Sequence, residues 1–131
     1  MSKLQVGVLA FSAEDTRSII MITSRGKKEW IMPKGNIKKK CGKVKSALEE
    51  AYEEAGIIGK INENRFFDIK IIKGKKKYKL RLYYFEVEEM LEDWPESEQR
   101  SRKKVRAKKA IKYIKHKGLK RCLKEYMKEA A

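Results

Sequence analysis

Val44, Ala47, Leu48, Ala51 and Ala55 stand at i, +3, +4, +7 and +11, one apolar stripe along a helix that Gly56 ends. The segments on either side follow another rule. Leu4–Phe11 alternates loosely between large and small residues and Ser18–Ser24 is β-branched and apolar; both predict strands, with a turn over 13–17. Trp30–Met32 predicts a short extended piece ending at Pro33. Residues 34–42, with two glycines and four lysines, predict a loop. Arg65–Lys73 and Tyr78–Glu88 predict two further strands, joined as a hairpin through 74–77, and Asp93-Trp94-Pro95 predicts a loop. A second helical stripe, Ala107, Ala110, Ile111 and Ile114, is interrupted near Gly118 and continues as Leu119, Cys122, Leu123, Tyr126 and Met127. Helical stripes set among strands restrict the chain to α/β or α+β, and 131 residues supply one core.

The first helix carries an unusual face. Glu50, Glu53 and Glu54 cover roughly a quarter of its circumference beside the apolar stripe. Like charges at i, i+3 and i, i+4 repel, and acids near a helix C-terminus oppose the macrodipole. Spacing alone leaves two readings open. One is a solvated acidic face in a basic protein. The other is an all-oxygen site for a hard divalent cation, with at least one carboxyl pKa raised by mutual repulsion.

Composition removes the competing chemistries. Cys41, Cys122 and His116 are too few for a disulfide framework, a zinc site or a histidine-based nucleophilic centre. Runs such as Val6–Phe11 are too short to span a bilayer, and the N-terminus has no secretory apolar core, so the expected setting is the reducing cytoplasm without a membrane partner. The net charge is +16, with 34 Lys+Arg against 18 Asp+Glu. Residues 100–131 hold 14 of those bases and only Glu125 and Glu129 as acids, a net of +12.

Gly35, Glu50, Glu53, Glu54, Gly56 and Ile57 fall in the register of the Nudix box, G-x5-E-x7-R-E-U-x-E-E-x-G-U, which would run here from 35 to 57. Trp30-Ile31-Met32-Pro33-Lys34-Gly35 resembles the lead-in of that superfamily. Leu91-Glu92-Asp93-Trp94-Pro95-Glu96, the Arg100/Arg102 pair, Ala110-Ile111 and His116-Lys117 look like the C-terminal half of diphosphoinositol-polyphosphate and diadenosine-polyphosphate hydrolases. The resemblance implies one domain over 1–131. Its fold would be an α/β/α sandwich with a mixed central sheet, a Nudix-box loop-helix and a basic C-terminal helical segment over about 105–131. It also implies a pyrophosphohydrolase in which Glu50, Glu54 and the Gly35 carbonyl hold Mg²⁺, with Mn²⁺ as a substitute. Glu53 would be a further ligand or would orient the attacking water, and the partner would be a small anionic phosphate substrate. Arg25 and Lys34 lie near such a site by sequence, and Lys3, Arg100, Arg102 and Lys117 occupy positions resembling polyphosphate contacts. A monomer or homodimer is compatible with all of this.

Two departures open a second reading. Cys41 stands where the box has its early Glu, and Glu49 where it has the Arg that steadies the catalytic carboxylates. Local lysines could supply the missing cation, giving an active enzyme. Alternatively the chain is a catalytically impaired homologue that binds RNA or polyphosphate through its basic surface. The basic runs are not interleaved with several aromatics, which weighs against single-strand stacking and leaves nucleic acid the less favoured partner. Lys104, Lys108 and Lys109 replace a Trp and acids usual in relatives, so contacts carried over from that half are weakened.

Overall fold

The computed structural model describes residues 3–26 and 28–130. In chain order the elements are β1 (Lys3–Ser12), β2 (Ser18–Thr23), β3 (Trp30–Ile31), β4 (Lys34–Asn36), α1 (Gly42–Ala55), β5 (Ile57–Lys73), β6 (Lys76–Met90), β7 (Arg102–Arg106), α2 (Ala107–Tyr113) and α3 (Lys117–Ala130). The strands form one mixed sheet in the order β3-β2-β1-β6-β5, with β4 also paired to β1 and β7 to β2. Among the described residues only the β1–β6 pairing is parallel, Val6 opposite Arg81 and Val8 opposite Tyr83.

Both faces of this sheet are covered, so the central strands read as continuous apolar runs rather than a clean alternation. Val6, Val8 and Ala10 of β1, Ile20 and Ile22 of β2, and Tyr83 and Phe85 of β6 pack with Ala47, Ala51 and Ala55 of α1. Leu9, Ile19, Met21, Leu80 and Leu82 point the other way, onto Ala110, Leu119, Leu123 and Tyr126 of α2 and α3. The result is the expected α/β/α sandwich. Three alanines at i, i+4 and i+8 are each fully buried and give α1 a flat, shallow contact with the sheet.

Three expectations need correction. Part of the predicted loop over 34–42 is strand β4, with Gly35 opposite Val6. Three residues with one apolar neighbour carry no periodic signal, and pairing to β1 creates the strand. β5 starts at Ile57, not Arg65; its first half lies mostly exposed at the sheet edge, with irregularities at Ile58/Gly59 and Asn62/Phe66 that blur the alternation. The basic segment expected to be helical from about 105 is strand until Arg106, because Val105 alone of β7 turns to the core. Its expected end at Ala131 lies outside the described residues.

Candidate active site

The acidic side of α1 is tied to the chain at both ends. Cys41 occupies the N-cap without a side-chain cap bond, and the loop is held instead by the Lys38 N–H, which donates to the buried Ser46 Oγ at 2.9 Å. At the other end Gly56 adopts φ 62°, a left-handed cap that favours glycine. A Cβ there would also stand 2.8 Å from atoms of Trp94. Trp94 Nε1–H donates to the Glu54 carbonyl at 2.9 Å, and Arg102 donates to the Ala55 carbonyl at 2.8 Å while stacking on the Trp94 ring. A guanidinium against the last carbonyls supplies the positive charge that α1 lacks in its own last turn.

Glu54 is buried, and both of its oxygens are engaged. Oε1 accepts the Lys34 N–H at 3.0 Å and Oε2 accepts from Arg100 at 3.2 Å. Arg100 is itself 7% exposed and also donates to Glu96 Oε1 at 2.9 Å and the Thr23 carbonyl at 3.0 Å. Burial still raises the Glu54 pKa, against the opposing pull of the Lys34 N–H and Arg100. Glu50 lies beside it and is pushed up to about 7, first by burial and then by the charges of Glu54 and Glu53. A Cβ on Gly35 would collide with the Glu50 carboxyl, so glycine at this point of β4 lets main chain and carboxylate meet face to face. Glu53 turns outward, 3.7 Å from Lys38 Nζ. Among the described residues no group of three or more His, Cys, Asp or Glu side chains is gathered closely enough to enclose a metal ion.

Lys34 runs from this centre into a neighbouring groove of about 620 Å³, where its ammonium, with its pKa lowered by burial, reaches Gln5 Oε1 at 3.3 Å. Lys3 lines the same groove, with Lys73, Lys75, Lys76 and Lys77 from the β5–β6 hairpin, and no acid lines it. Those four hairpin lysines were not singled out from sequence. The signal was the charge density across a predicted turn.

The structure thus gathers Gly35, Glu50, Glu54, Lys34 and Lys3, with Glu53 at the margin. It gives the others different surroundings. Arg100 and Arg102 are not free for phosphate: their guanidinium groups hold Glu54 and the end of α1 from beneath. Lys117 begins α3 on the opposite side of the sheet from α1, where the burial of Leu119 and Leu123 places it. Arg25 is exposed and pairs with Glu96 at 3.5 Å.

No protein-family model matches the chain. Human diphosphoinositol polyphosphate phosphohydrolase 3-beta is 30% identical over 115 residues, covering 86% of this chain and 69% of that protein. Nudix hydrolase 12, mitochondrial, of Arabidopsis thaliana is 26% identical over 121 residues, covering 84% of this chain and 58% of that protein. The chain spans 62% of the length of another curated human relative, diphosphoinositol polyphosphate phosphohydrolase NUDT4B, at 31% identity over 86% of this chain. Among solved structures, a C. elegans Ap4A hydrolase superposes with a TM-score of 0.81 over 100% of both chains at 18% identity, a likeness of fold.

Proposed function

The chain belongs to the Nudix hydrolase superfamily, and from that premise we propose that it hydrolyses a phosphoric anhydride linkage in a compact, highly anionic substrate. Diphosphoinositol polyphosphates and dinucleoside polyphosphates are the favoured classes. The observation that carries this reading is the junction of two opposite environments. The Gly35 backbone and the Glu50–Glu54 pair form an oxygen-rich acidic point, and a groove with six lysines opens beside it.

The donor chemistry fits a hard divalent cation, Mg²⁺ or Mn²⁺. Burial and then the charges of Glu54 and Glu53 lift Glu50 to about 7, a cost that such an ion offsets, and Gly35 leaves the approach clear of side-chain carbon. Glu50 and Glu54 would hold it with the Gly35 carbonyl. When bound, the ion neutralises phosphate charge and lowers the pKa of water. The rest falls to the chain itself. Lys3, Lys34 and the hairpin lysines attract and orient the phosphates as point charges. Arg100 keeps Glu54 in one rotamer. Glu53, the least enclosed of the three carboxylates, takes the proton from the attacking water.

The test is a panel of dinucleoside polyphosphates, diphosphoinositol polyphosphates and nucleoside triphosphates with Mg²⁺ or Mn²⁺, comparing wild type with Glu53→Gln and Glu54→Gln. Loss of turnover in both variants, with the folded circular-dichroism spectrum preserved at the assay temperature, supports the reading, and undiminished turnover in both sinks it. The impaired-homologue reading rests on Glu49 and on the outward turn of Glu53 toward Lys38. It predicts substrate binding without hydrolysis in the wild type.

A further inference from the structure

A second positive surface lies across the sheet from α1. The buried side of α3 is Leu119, Cys122, Leu123 and Tyr126. Its exposed Lys117, Arg121, Lys124 and Lys128 recur at i, +4, +7 and +11, a continuous outward stripe. On α2, Lys108 and Lys112 repeat the pattern one turn apart, with Lys109 beside them, and β7 adds exposed Lys103 and Lys104. The two acids of this region do little to offset them. Glu129 is turned away to Arg65 and Tyr84, and Glu125 pairs with Lys128. Among the described residues no lysine between 103 and 124 is in an ion pair.

The fold adds an aromatic element that the sequence keeps apart. Trp30, on edge strand β3, and Tyr113, the last residue of α2, bring their rings to 6.4 Å at 45°, both partly exposed. Lys103 Nζ stands 4.7 Å from the Tyr113 ring and 5.5 Å from Trp30. Stacking surface beside a track of unpaired ammonium groups is what binds unpaired bases joined by phosphates.

We propose that the β7–α2–α3 surface, with Trp30 and Tyr113 at one end, docks single-stranded nucleic acid, at a site separate from the hydrolytic centre. A membrane surface suits it poorly. Among the described residues the most exposed large apolar side chains, Tyr52, Ile58, Phe66, Ile72 and Met90, lie on α1, β5 and β6, so this surface offers a bilayer no more than the half-buried Trp30–Tyr113 pair. An acidic protein partner would find one aromatic pair, Trp30 and Tyr113, and no wider apolar core of the kind a stable protein interface buries. Lysine in place of arginine suits phosphate contact without base reading.

The experiment is fluorescence anisotropy of a 5′-fluorescein 20-nucleotide oligouridylate and its deoxythymidylate counterpart, titrated with protein across a series of KCl concentrations. Wild type is expected to bind one or both with strong salt dependence. In Lys108→Glu/Lys109→Glu/Lys112→Glu the affinity falls at least tenfold, and the log–log salt slope shrinks by about 2, at roughly 0.7 per lost single-strand phosphate contact. The corresponding Gln variants show a smaller loss in the same direction, and Tyr113→Leu costs about fivefold or more through lost stacking. Hydrolysis of a small polyphosphate substrate stays at wild-type level in the α2 variants. Charge reversal at Lys75, Lys76 and Lys77 leaves oligonucleotide affinity within about twofold of wild type. The proposal is overturned if that hairpin variant, and not the α2 variant, loses binding, because the oligonucleotide then sits in the substrate groove. It is equally overturned if wild type binds neither oligonucleotide, or binds only vesicles containing phosphatidylserine.

Discussion

Lys38 Nζ lies 2.7 Å from Glu49 Oε2, so the loop delivers a cation to the helix position where the superfamily's box carries arginine. The same ammonium is 3.7 Å from Glu53 Oε1, and Cys41 Sγ approaches the other Glu49 oxygen at 3.7 Å. The hydrogen bond to Glu49 raises the Lys38 pKa and lowers that of Glu49. The pair is open to solvent, so its effect is on the placement of Glu53 and not on folding. Lys38→Met is expected to lower kcat by about tenfold with KM little changed and Tm within about 2 °C of wild type. Adding Glu49→Arg to that variant should restore kcat, because the cation returns from the helix side. A double variant no better than Lys38→Met would show that Lys38 does not act through this cluster.

Arg100 is the internal counterpart. With its guanidinium gone, Glu54 and Glu96 each lose a charged donor in a setting nearly closed to water. Arg100→Met should therefore cost about 3 kcal/mol or more, visible as a lower urea midpoint. Arg100→Lys should recover only part, since one ammonium cannot reproduce the fork that meets Glu54, Glu96 and the Thr23 carbonyl. Arg100→Met/Glu54→Leu should be more stable than Arg100→Met alone, because no carboxylate is then stranded at position 54.

Stability should fall as pH rises from about 4.5 to about 7. Glu50 moves from its ordinary 4.5 to about 7 on folding, so the folded chain binds the extra proton. Its favourable contribution is complete below about 4.5 and is lost as pH passes 7. Divalent cation should reverse the trend, since it competes with the proton for the same oxygens. Differential scanning fluorimetry with and without 5 mM Mg²⁺ checks this. The Mg²⁺-induced rise in Tm should be larger at pH 8 than at pH 6, and should vanish in Glu50→Gln.

The hairpin lysines should set substrate preference more than rate. Lys75→Glu/Lys76→Glu/Lys77→Glu is expected to raise KM by at least tenfold for substrates with five or more phosphates and by less for a nucleoside triphosphate, at nearly constant kcat. The wild-type preference should fade as salt is added. Steady-state kinetics at two ionic strengths decides it.

The acidic helix was legible because period and charge coincide there: Ala47, Ala51 and Ala55 face the sheet and the glutamates do not. The central strands were legible because burial on both faces leaves unbroken apolar runs such as Ile19–Ile22. What the sequence hid depends on pairing and rotamer. β4 exists because Gly35 meets Val6, and its own three residues carry no strand pattern. Arg100 reads as a surface base like Arg106, yet one is closed in by Glu54, Glu96 and Thr23 while the other reaches solvent beside Asp15. Trp30 and Tyr113 are more than eighty residues apart in the chain, so no scan of local composition would join them.

The ion pair between Arg100 and Glu54 also bears on the order of assembly. The helix is complete at residue 55, but the counter-charge for its buried carboxylate is synthesised 46 residues after Glu54. β1 waits as well, because its parallel partner is β6, and parallel pairing is among the slowest contacts for a chain to close. A nascent chain leaving the ribosome therefore exposes the edge of β1 until β6 is made, and an unneutralised acidic helix until the loop before β7 arrives. Truncations between residues 60 and 99 should aggregate or be degraded, and refolding should gain its metal response only in the final phase.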